Sequence, residues 1–346
     1  MNHDRRRFLS TAAATIAGLE LTMLGRTKSL LYGMETATDT GLASLRNATT
    51  WLNSPPLTAD GLRGKVVLVD FCTYTCVNWL RTLPYLRAWD AKYREHGLVV
   101  IGAHTPEFDF EHDLDNVRRA ITAMRVDYPI AVDNDYAIWK GFANQYWPAL
   151  YLIDTKGAIR FTHFGEGAYD ESERMIQKML GEAGPPPGGF TRELVAVAAP
   201  GIEAPADWEN LRSQENYLGA GRTEGFVSKR AAAGLGLNEW TLAGDWKQSQ
   251  RAVALNKPSG RIVYRFHARD VNLVMGPAIR GGAVRFRVRI DSQPAGGGSD
   301  VDEQGQGTVS GQRLYQLIRQ SRPITDRLCE IEFLDAGVEA FCFTFG

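Results

Sequence analysis

Hydrophobic positions change their spacing twice along this chain. Residues 65–71, Lys-Val-Val-Leu-Val-Asp-Phe, form a short continuous apolar run, the pattern of a strand covered on both faces. From 75 to 96 the spacing becomes helical, with Leu80, Leu83, Leu86, Trp89 and Tyr93 recurring every three or four positions. Pro84 predicts a kink in that helix and Gly97 its end. Further strands are predicted at 98–102 and 128–132, and helices at 113–124, 135–143 and 169–180. An antiparallel hairpin is predicted over 149–154 and 158–162, turning at Thr155-Lys-Gly157. Strands alternating with helices, then a hairpin and a closing helix, predict one α/β domain over residues 43–182. Gly184-Pro-Pro-Pro-Gly-Gly189 breaks the pattern, and 183–215 read as a linker. Beyond it, short alternating runs at 260–266, 271–275, 284–290 and 338–345 predict an all-β sandwich over 216–346.

Composition narrows the function classes. The 346 residues are 44% hydrophobic and 23% charged, enough to bury a core and incompatible with wholesale disorder. Lys and Arg number 39 against 40 Asp and Glu, a formal charge of -1 that gives no bulk attraction to nucleic acid or anionic membrane. Nucleic acid is therefore not an expected partner. Four cysteines are too few for a disulfide scaffold, so their chemistry has to be local. At the start, Arg5-Arg6-Arg7-Phe8-Leu9 precedes a mainly apolar run from 11 to 24, interrupted by Glu20. This resembles a twin-arginine export signal, so residues 1–37 read as signal and spacer. The run is shorter than the ~20 apolar residues that span a bilayer, and no other stretch is long enough. The expectation is a soluble periplasmic or extracytoplasmic protein, where disulfides can persist.

The informative stretch is Val67-Leu-Val-Asp-Phe-Cys-Thr-Tyr-Thr-Cys-Val-Asn-Trp-Leu-Arg-Thr-Leu-Pro84. A buried strand runs straight into a helix with Cys76 at its N-terminus. A thiol there meets the positive end of the helix dipole and unpaired backbone N–H groups, which favour the thiolate. The thiolate is the attacking species in thiol–disulfide exchange. A small buried apolar residue is the plainer reading, but the strand–Cys–helix context points to a redox site or its descendant.

Residues 65–180 resemble the thioredoxin-like domain of the DipZ and TlpA-like families, through Val-Asp-Phe, Thr-Tyr-Thr-Cys, Arg-Thr-Leu-Pro-Tyr, His-Thr-Pro-Glu-Phe, Asn-Gln-Tyr-Trp-Pro-Ala and Thr-His-Phe-Gly-Glu-Gly. The resemblance implies that Cys76 is the nucleophile, Asp70 the buried acid, and Pro148, after Trp147, a cis-proline facing the site. His104 and Glu107 of the His-Thr-Pro-Glu loop would shape it. The β-rich segment, with Asn238-Glu-Trp-Thr-Leu-Ala-Gly-Asp-Trp246 and Arg313-Leu-Tyr-Gln-Leu-Ile-Arg319, is similar to the C-terminal domain of DipZ proteins. That domain is a jelly-roll like a carbohydrate-binding module. The implied fold class is thus a thioredoxin-like α/β domain followed by an all-β sandwich. The expectation is that the export signal stands where the family carries its membrane-embedded electron-transfer domain. Protein or small-molecule thiols and disulfides are the implied partners, with a membrane electron donor; no cofactor is implied.

One departure from the family matters. The family reads Trp-Thr-Tyr-Thr-Cys-x-x-Cys, whereas this chain reads Cys72-Thr-Tyr-Thr-Cys76-Val-Asn-Trp79. Tryptophan and second cysteine have in effect changed places, so a mixed disulfide on Cys76 has no resolving thiol three residues on. Trp79 lies one turn along on the same helix face and would shade the thiol. Several chemistries remain open: Cys72 as an unusual resolving thiol, Cys76 as a monothiol with a peroxidase variant, or a redox-inactive binding scaffold. A fourth is a Cu(I) site resembling Sco-type proteins, built from Cys72, Cys76 and His163.

The other two cysteines, Cys329 and Cys342, flank a predicted strand–turn–strand over 330–341. A symmetric hairpin would set them opposite each other, in reach of a structural disulfide. Trp240, Trp246 and Tyr264 offer an aromatic platform for a glycan ligand, although such residues more often fill a sandwich core.

Overall fold

The computed structural model describes residues 40–184, 189–228 and 234–346. The export signal read at 1–37 lies outside the described residues. In chain order the first part runs α1 (Thr40–Ala43), β1 (Thr50–Leu52), β2 (Val66–Cys72), α2 (Val77–Tyr93), β3 (Leu98–His104) and α3 (Leu114–Ala123). It continues with β4 (Ile130–Val132), α4 (Ala137–Gly141), β5 (Ala149–Ile153), β6 (Ile159–Phe164) and α5 (Tyr169–Glu182). The later strands are β7 (Asn216–Tyr217), β8 (Trp240–Ala243), β9 (Trp246–Gln248), β10 (Val253–Leu255), β11 (Gly260–Phe266) and β12 (Asp270–Pro277). They end with β13 (Val284–Ile290), β14 (Gln293–Pro294), β15 (Gln306–Val309), β16 (Arg313–Arg319), β17 (Arg327–Phe333) and β18 (Val338–Phe345).

These elements gather into two bodies, neither of them one stretch of chain. The first holds the residues up to Phe71 with Tyr93–Thr105 and Tyr128–Arg192; the second holds Cys72–Lys92, Pro106–Asp127 and Glu193–Gly346.

The first body is built on a six-stranded sheet in the order β1-β4-β3-β2-β5-β6. β3 and β4 run parallel, while β1 joins β4, and β5 joins both β2 and β6, antiparallel. β2 sits inside the sheet and buries all seven residues, which is why its sequence is an unbroken apolar run. β6, at the edge, alternates half-buried with exposed positions. Phe71 anchors the interior, its ring edge-on to Trp139, Phe142 and Tyr151 at 5.7, 5.3 and 5.6 Å. The predicted α/β alternation forms, and with it a thioredoxin-like fold.

The second body holds α2, α3 and two antiparallel sheets. One sheet runs β16-β12-β18-β10-β9, with β7 added on β18; the other runs β14-β13-β17-β11-β8, with β15 added on β13. β13 alternates buried and more exposed positions, the signature of a strand with one wet face. The buried faces share one core, where Tyr264 meets Phe343 at 5.0 Å and Phe286 meets Tyr315 at 6.5 Å between ring centres. Trp240 and Tyr264 belong to that core, and Trp246 packs edge-on against Phe333 at 5.8 Å. Trp240 and Tyr264 are buried and Trp246 is half-buried, so the three do not form the exposed aromatic platform read from the sequence.

The pairing of Cys329 with Cys342 is corrected as well. β17 and β18 follow each other in sequence but belong to different sheets. Cys329 on β17 lies opposite Tyr264 and Ile290, whereas Cys342 on β18 lies opposite Val274 and Tyr217. The connection between them crosses from one sheet to the other: Leu334 N–H donates to Arg285 O at 2.8 Å and Gly337 N–H to Leu255 O at 2.9 Å. Each end of the loop is thus fastened to its own sheet, and no hairpin register sets the sulfurs face to face. Burial, reinforced by Glu330, pushes the Cys329 thiol far above its ordinary range, so it behaves as a small core residue.

The same loop carries Asp335, whose carboxylate accepts from Arg285 Nε at 2.9 Å, Arg285 Nη2 at 2.8 Å and the Arg285 backbone N–H at 3.0 Å. These bonds lower its pKa from 3.8 to about 2. A depressed carboxyl contributes stability that is present above 3.8 and fades as pH falls through about 2. Asp335→Asn is therefore expected to remove part of the wild-type stability loss over that window, read from urea midpoints measured at several pH values. An unchanged acid limb would refute the linkage. In the shared core, Phe333→Ala is expected to cost about 3–5 kcal/mol by emptying a buried ring site. Equilibrium denaturation tests it, and a loss below about 1 kcal/mol would mean the two sheets do not depend on that ring.

Candidate active site around Cys76

The sequence-predicted site residues divide between the bodies. Asp70, Trp147, Pro148 and His163 lie in the first; Cys72, Cys76, Trp79 and Glu107 lie in the second.

In the first body, Asp70 is fully buried on β2 opposite Leu150. The Trp147–Pro148 peptide is cis and leads directly into β5. Trp147 is fixed by its indole N–H, which donates to Thr105 O at 3.1 Å, and by its ring against Trp139, 4.2 Å between centres. Thr105 is held in turn through its hydroxyl, which donates to Asp133 Oδ2 at 3.1 Å. The Asp133 carboxylate also accepts the backbone N–H groups of Ile138 and Trp139 at 2.9 and 2.8 Å, anchoring the start of α4. Burial raises the Asp133 carboxyl while those hydrogen bonds pull it down. Asp133 and Thr105 were not singled out in the sequence, although they set the orientation of Trp147. His163 lies on β6 opposite Leu150, with Nε2 3.5 Å from Glu166 O. Among the described residues no group of three or more His, Cys, Asp or Glu side chains is placed to hold a metal. Of the copper set read from the sequence, Cys72 and Cys76 lie in the second body and His163 in the first.

In the second body the chain leaves β2 at Cys72, makes a turn, and enters α2 at Val77. The turn is closed by Cys76 N–H donating to Thr73 O at 3.1 Å, and Leu80 N–H donates to Cys76 O at 3.0 Å. Cys76 thus occupies the N-cap position of α2, its carbonyl already in the helix ladder. Cys72 is 2% exposed and Cys76 5%, and Thr73, Tyr74 and Thr75 between them are buried too. Trp79, one turn on from Cys76, is also buried. Pro84 lies inside α2 as predicted.

A segment C-terminal to the His-Thr-Pro motif supplies what the cysteine turn rests on. Glu111, 0% exposed, accepts the Thr75 hydroxyl on Oε1 at 2.6 Å. Its Oε2 accepts the backbone N–H groups of Glu107 at 2.6 Å and Phe108 at 2.9 Å. Three donors satisfy a charge that would otherwise cost several kcal/mol to bury. Burial, with the nearby Glu111 charge, pushes the Tyr74 phenol far above the usual range. Phe108 and Phe110 stack on each other at 5.4 Å and both pack on Phe341 of β18, at 5.5 and 5.0 Å; Tyr74 joins through Phe110 at 6.2 Å.

Polar contacts flank these rings. Glu107 accepts the Tyr217 hydroxyl and lies 3.6 Å from Arg222, whose guanidinium sits 3.5 Å above the Tyr217 ring. Asp109 pairs with Arg251, and Arg280 bridges Asp113 and Asp115 at 3.1 and 2.7 Å. The exposed pairs contribute little, and the buried rings carry most of the contact. Glu107, expected to shape the site, is tied instead to the β-rich part of the chain. Beside Phe110 and Phe341 an open groove of about 370 Å³ is rimmed by Asp109, Arg251, Gln312 and Glu339.

Residues 213–346 match the family described as thioredoxin like C-terminal domain. Over 315 residues the chain is 34% identical to Protein DipZ of Mycobacterium bovis, covering 87% of this chain and 42% of DipZ. The chain thus spans less than half the length of that relative. It is 26% identical over 132 residues to the thiol-disulfide oxidoreductase YkuV of Bacillus subtilis, covering 38% of this chain and 88% of YkuV. A solved thiol-disulfide isomerase from Corynebacterium glutamicum is 25% identical with a TM-score of 0.36, over 38% of this chain and 92% of that one. Residues 213–346 carry the thioredoxin like C-terminal domain, and over most of its length the chain is similar to DipZ.

Proposed function

We propose that this chain is an exported thiol–disulfide oxidoreductase in which Cys76 attacks and Cys72 resolves. The observation that carries the reading is the closed turn between them. A disulfide needs Cα atoms roughly 4.4–6.8 Å apart. The bond from Cys76 N–H to Thr73 O shortens the path between the end of β2 and the start of α2. Cys76 at the helix N-terminus is the better nucleophile, since its thiolate gains from the helix dipole. It attacks one sulfur of the substrate disulfide and expels the other as a thiolate, leaving a mixed disulfide. The Cys72 thiolate then attacks the Cys76 sulfur, closing Cys72–Cys76 and releasing the second substrate thiol. Two electrons and two protons pass to the substrate, and the oxidised pair waits for an external dithiol reductant. The thiol–disulfide chemistry named for YkuV supports this reading. Export rests on the arginines at positions 5–7, and a membrane donor is the corresponding source of electrons.

A second reading, a binding scaffold without redox turnover, is favoured by the burial of both cysteines. Insulin reduction with dithiothreitol as terminal reductant separates the two. Under the dithiol reading, Cys76→Ser loses all turnover above background, and Cys72→Ser falls at least about tenfold while trapping a mixed disulfide on Cys76. Equal, negligible rates in wild type and both variants would leave the scaffold standing.

A further inference from the structure

The cysteine turn is held from a direction that the exchange mechanism does not use. Thr75 immediately precedes Cys76, and its hydroxyl donates to Glu111 at 2.6 Å. The carboxylate cannot swing to follow a loosened turn, because its second oxygen is engaged by the backbone N–H groups of Glu107 and Phe108. That backbone is itself fixed, since Phe108 and Phe110 on either side of Asp109 pack on Phe341. Glu111 therefore links a rigid aromatic contact to the residue next to the nucleophile, in a region without water to substitute for a lost donor.

We propose that Glu111 is a positioning residue for the exchange. Acting through Thr75, it holds the turn in the form from which the Cys72 sulfur can reach the Cys76 sulfur. The inference rests on the dithiol reading and concerns its second step. Attack by Cys76 needs only an accessible thiolate, but internal resolution needs the two sulfurs brought together. A glutamine at 111 can keep its oxygen on the two backbone N–H groups, but it turns an NH2 donor toward the Thr75 hydroxyl, so a charge-assisted bond is replaced by a weaker neutral one. A valine at 75 keeps the shape and removes the donor.

The test uses the full chain, reduced with dithiothreitol and desalted, then mixed with excess 5,5′-dithiobis(2-nitrobenzoic acid), a small disulfide. Each sulfur bond broken releases one coloured thiolate: the first when Cys76 forms the mixed disulfide, the second when Cys72 displaces it. Wild type is expected to release two equivalents in two phases. Cys72→Ser should release one and retain a stable adduct on Cys76, and the Cys72→Ser/Cys76→Ser double variant gives the background from Cys329 and Cys342.

Thr75→Val is expected to keep the first phase within about threefold and slow the second by roughly tenfold or more, and Glu111→Gln to act in the same direction by less. Thr75→Ser, which restores the hydroxyl, should recover the second phase. The Thr75→Val/Glu111→Gln double variant should be no slower than Thr75→Val alone, because both changes act on the same link. Near-UV circular dichroism establishes that each variant is folded, and if Glu111→Gln is not, Thr75→Val with its serine rescue decides. A wild-type second phase in folded Thr75→Val, or effects that multiply in the double variant, would overturn the proposal. A wild type that stops at one equivalent, as Cys72→Ser does, would remove the dithiol reading and this inference with it.

Discussion

A carboxylate shut away from water must be fully hydrogen-bonded, and in this chain that requirement falls on Glu111. Its three donors come from two places: the Thr75 hydroxyl beside Cys76 and the backbone of the segment that follows His104-Thr105-Pro106. Removing any of them would leave a buried oxygen short of a partner, at a cost of about 1–3 kcal/mol. The turn that contains Thr75 and the segment that contains Phe108 are therefore obliged to keep a fixed relation. Phe341 extends the obligation to β18, because the rings that flank Asp109 rest on it. Surface ion pairs around the segment tune this arrangement only weakly, as Arg251 and Asp109 are both mostly exposed.

Under the proposed dithiol reading, a second cysteine at 72 rather than 79 changes which constraint controls the chemistry. Thiols three residues apart at a helix start are brought together by the helix itself, whose first turn fixes their spacing. A thiol four residues upstream, at the end of β2, depends on the conformation of the connecting loop. In that reading, responsibility for sulfur–sulfur geometry passes from secondary structure to side-chain hydrogen bonding. Trp79, at the position vacated by the thiol, is buried and adds bulk to the same helix face.

Much of this architecture was legible in the residues. β11, β13 and β18 follow the predicted runs because their alternation or continuous apolarity reports directly on which faces are covered. Cys76 at a helix start and the cis bond before Pro148 were equally readable, each from a local motif. β1 was not, since three residues are too few to show a period. The assignment of β17 and β18 to separate sheets was hidden because sequence adjacency reads as a hairpin, while the choice of partner is made by the shared interior. Glu111 was hidden for another reason: in Glu107-Phe-Asp-Phe-Glu-His-Asp113 it looks like one acid among several in a solvated loop. Only the alternation of acids with Phe108 and Phe110 hinted that one side of the segment faces inward.

The placement of β18 sets an order of events. It lies between β12 and β10 in its sheet, yet it is the last of the strands in sequence. That sheet cannot close around a centre that has not emerged, so β12 must wait with one edge unpaired until β18 has been made. Phe341 rides on the same strand. The aromatic support for the segment bearing Glu111 therefore waits on β18, and completion of the β-sheet and bracing of the cysteine turn are coupled through that one strand.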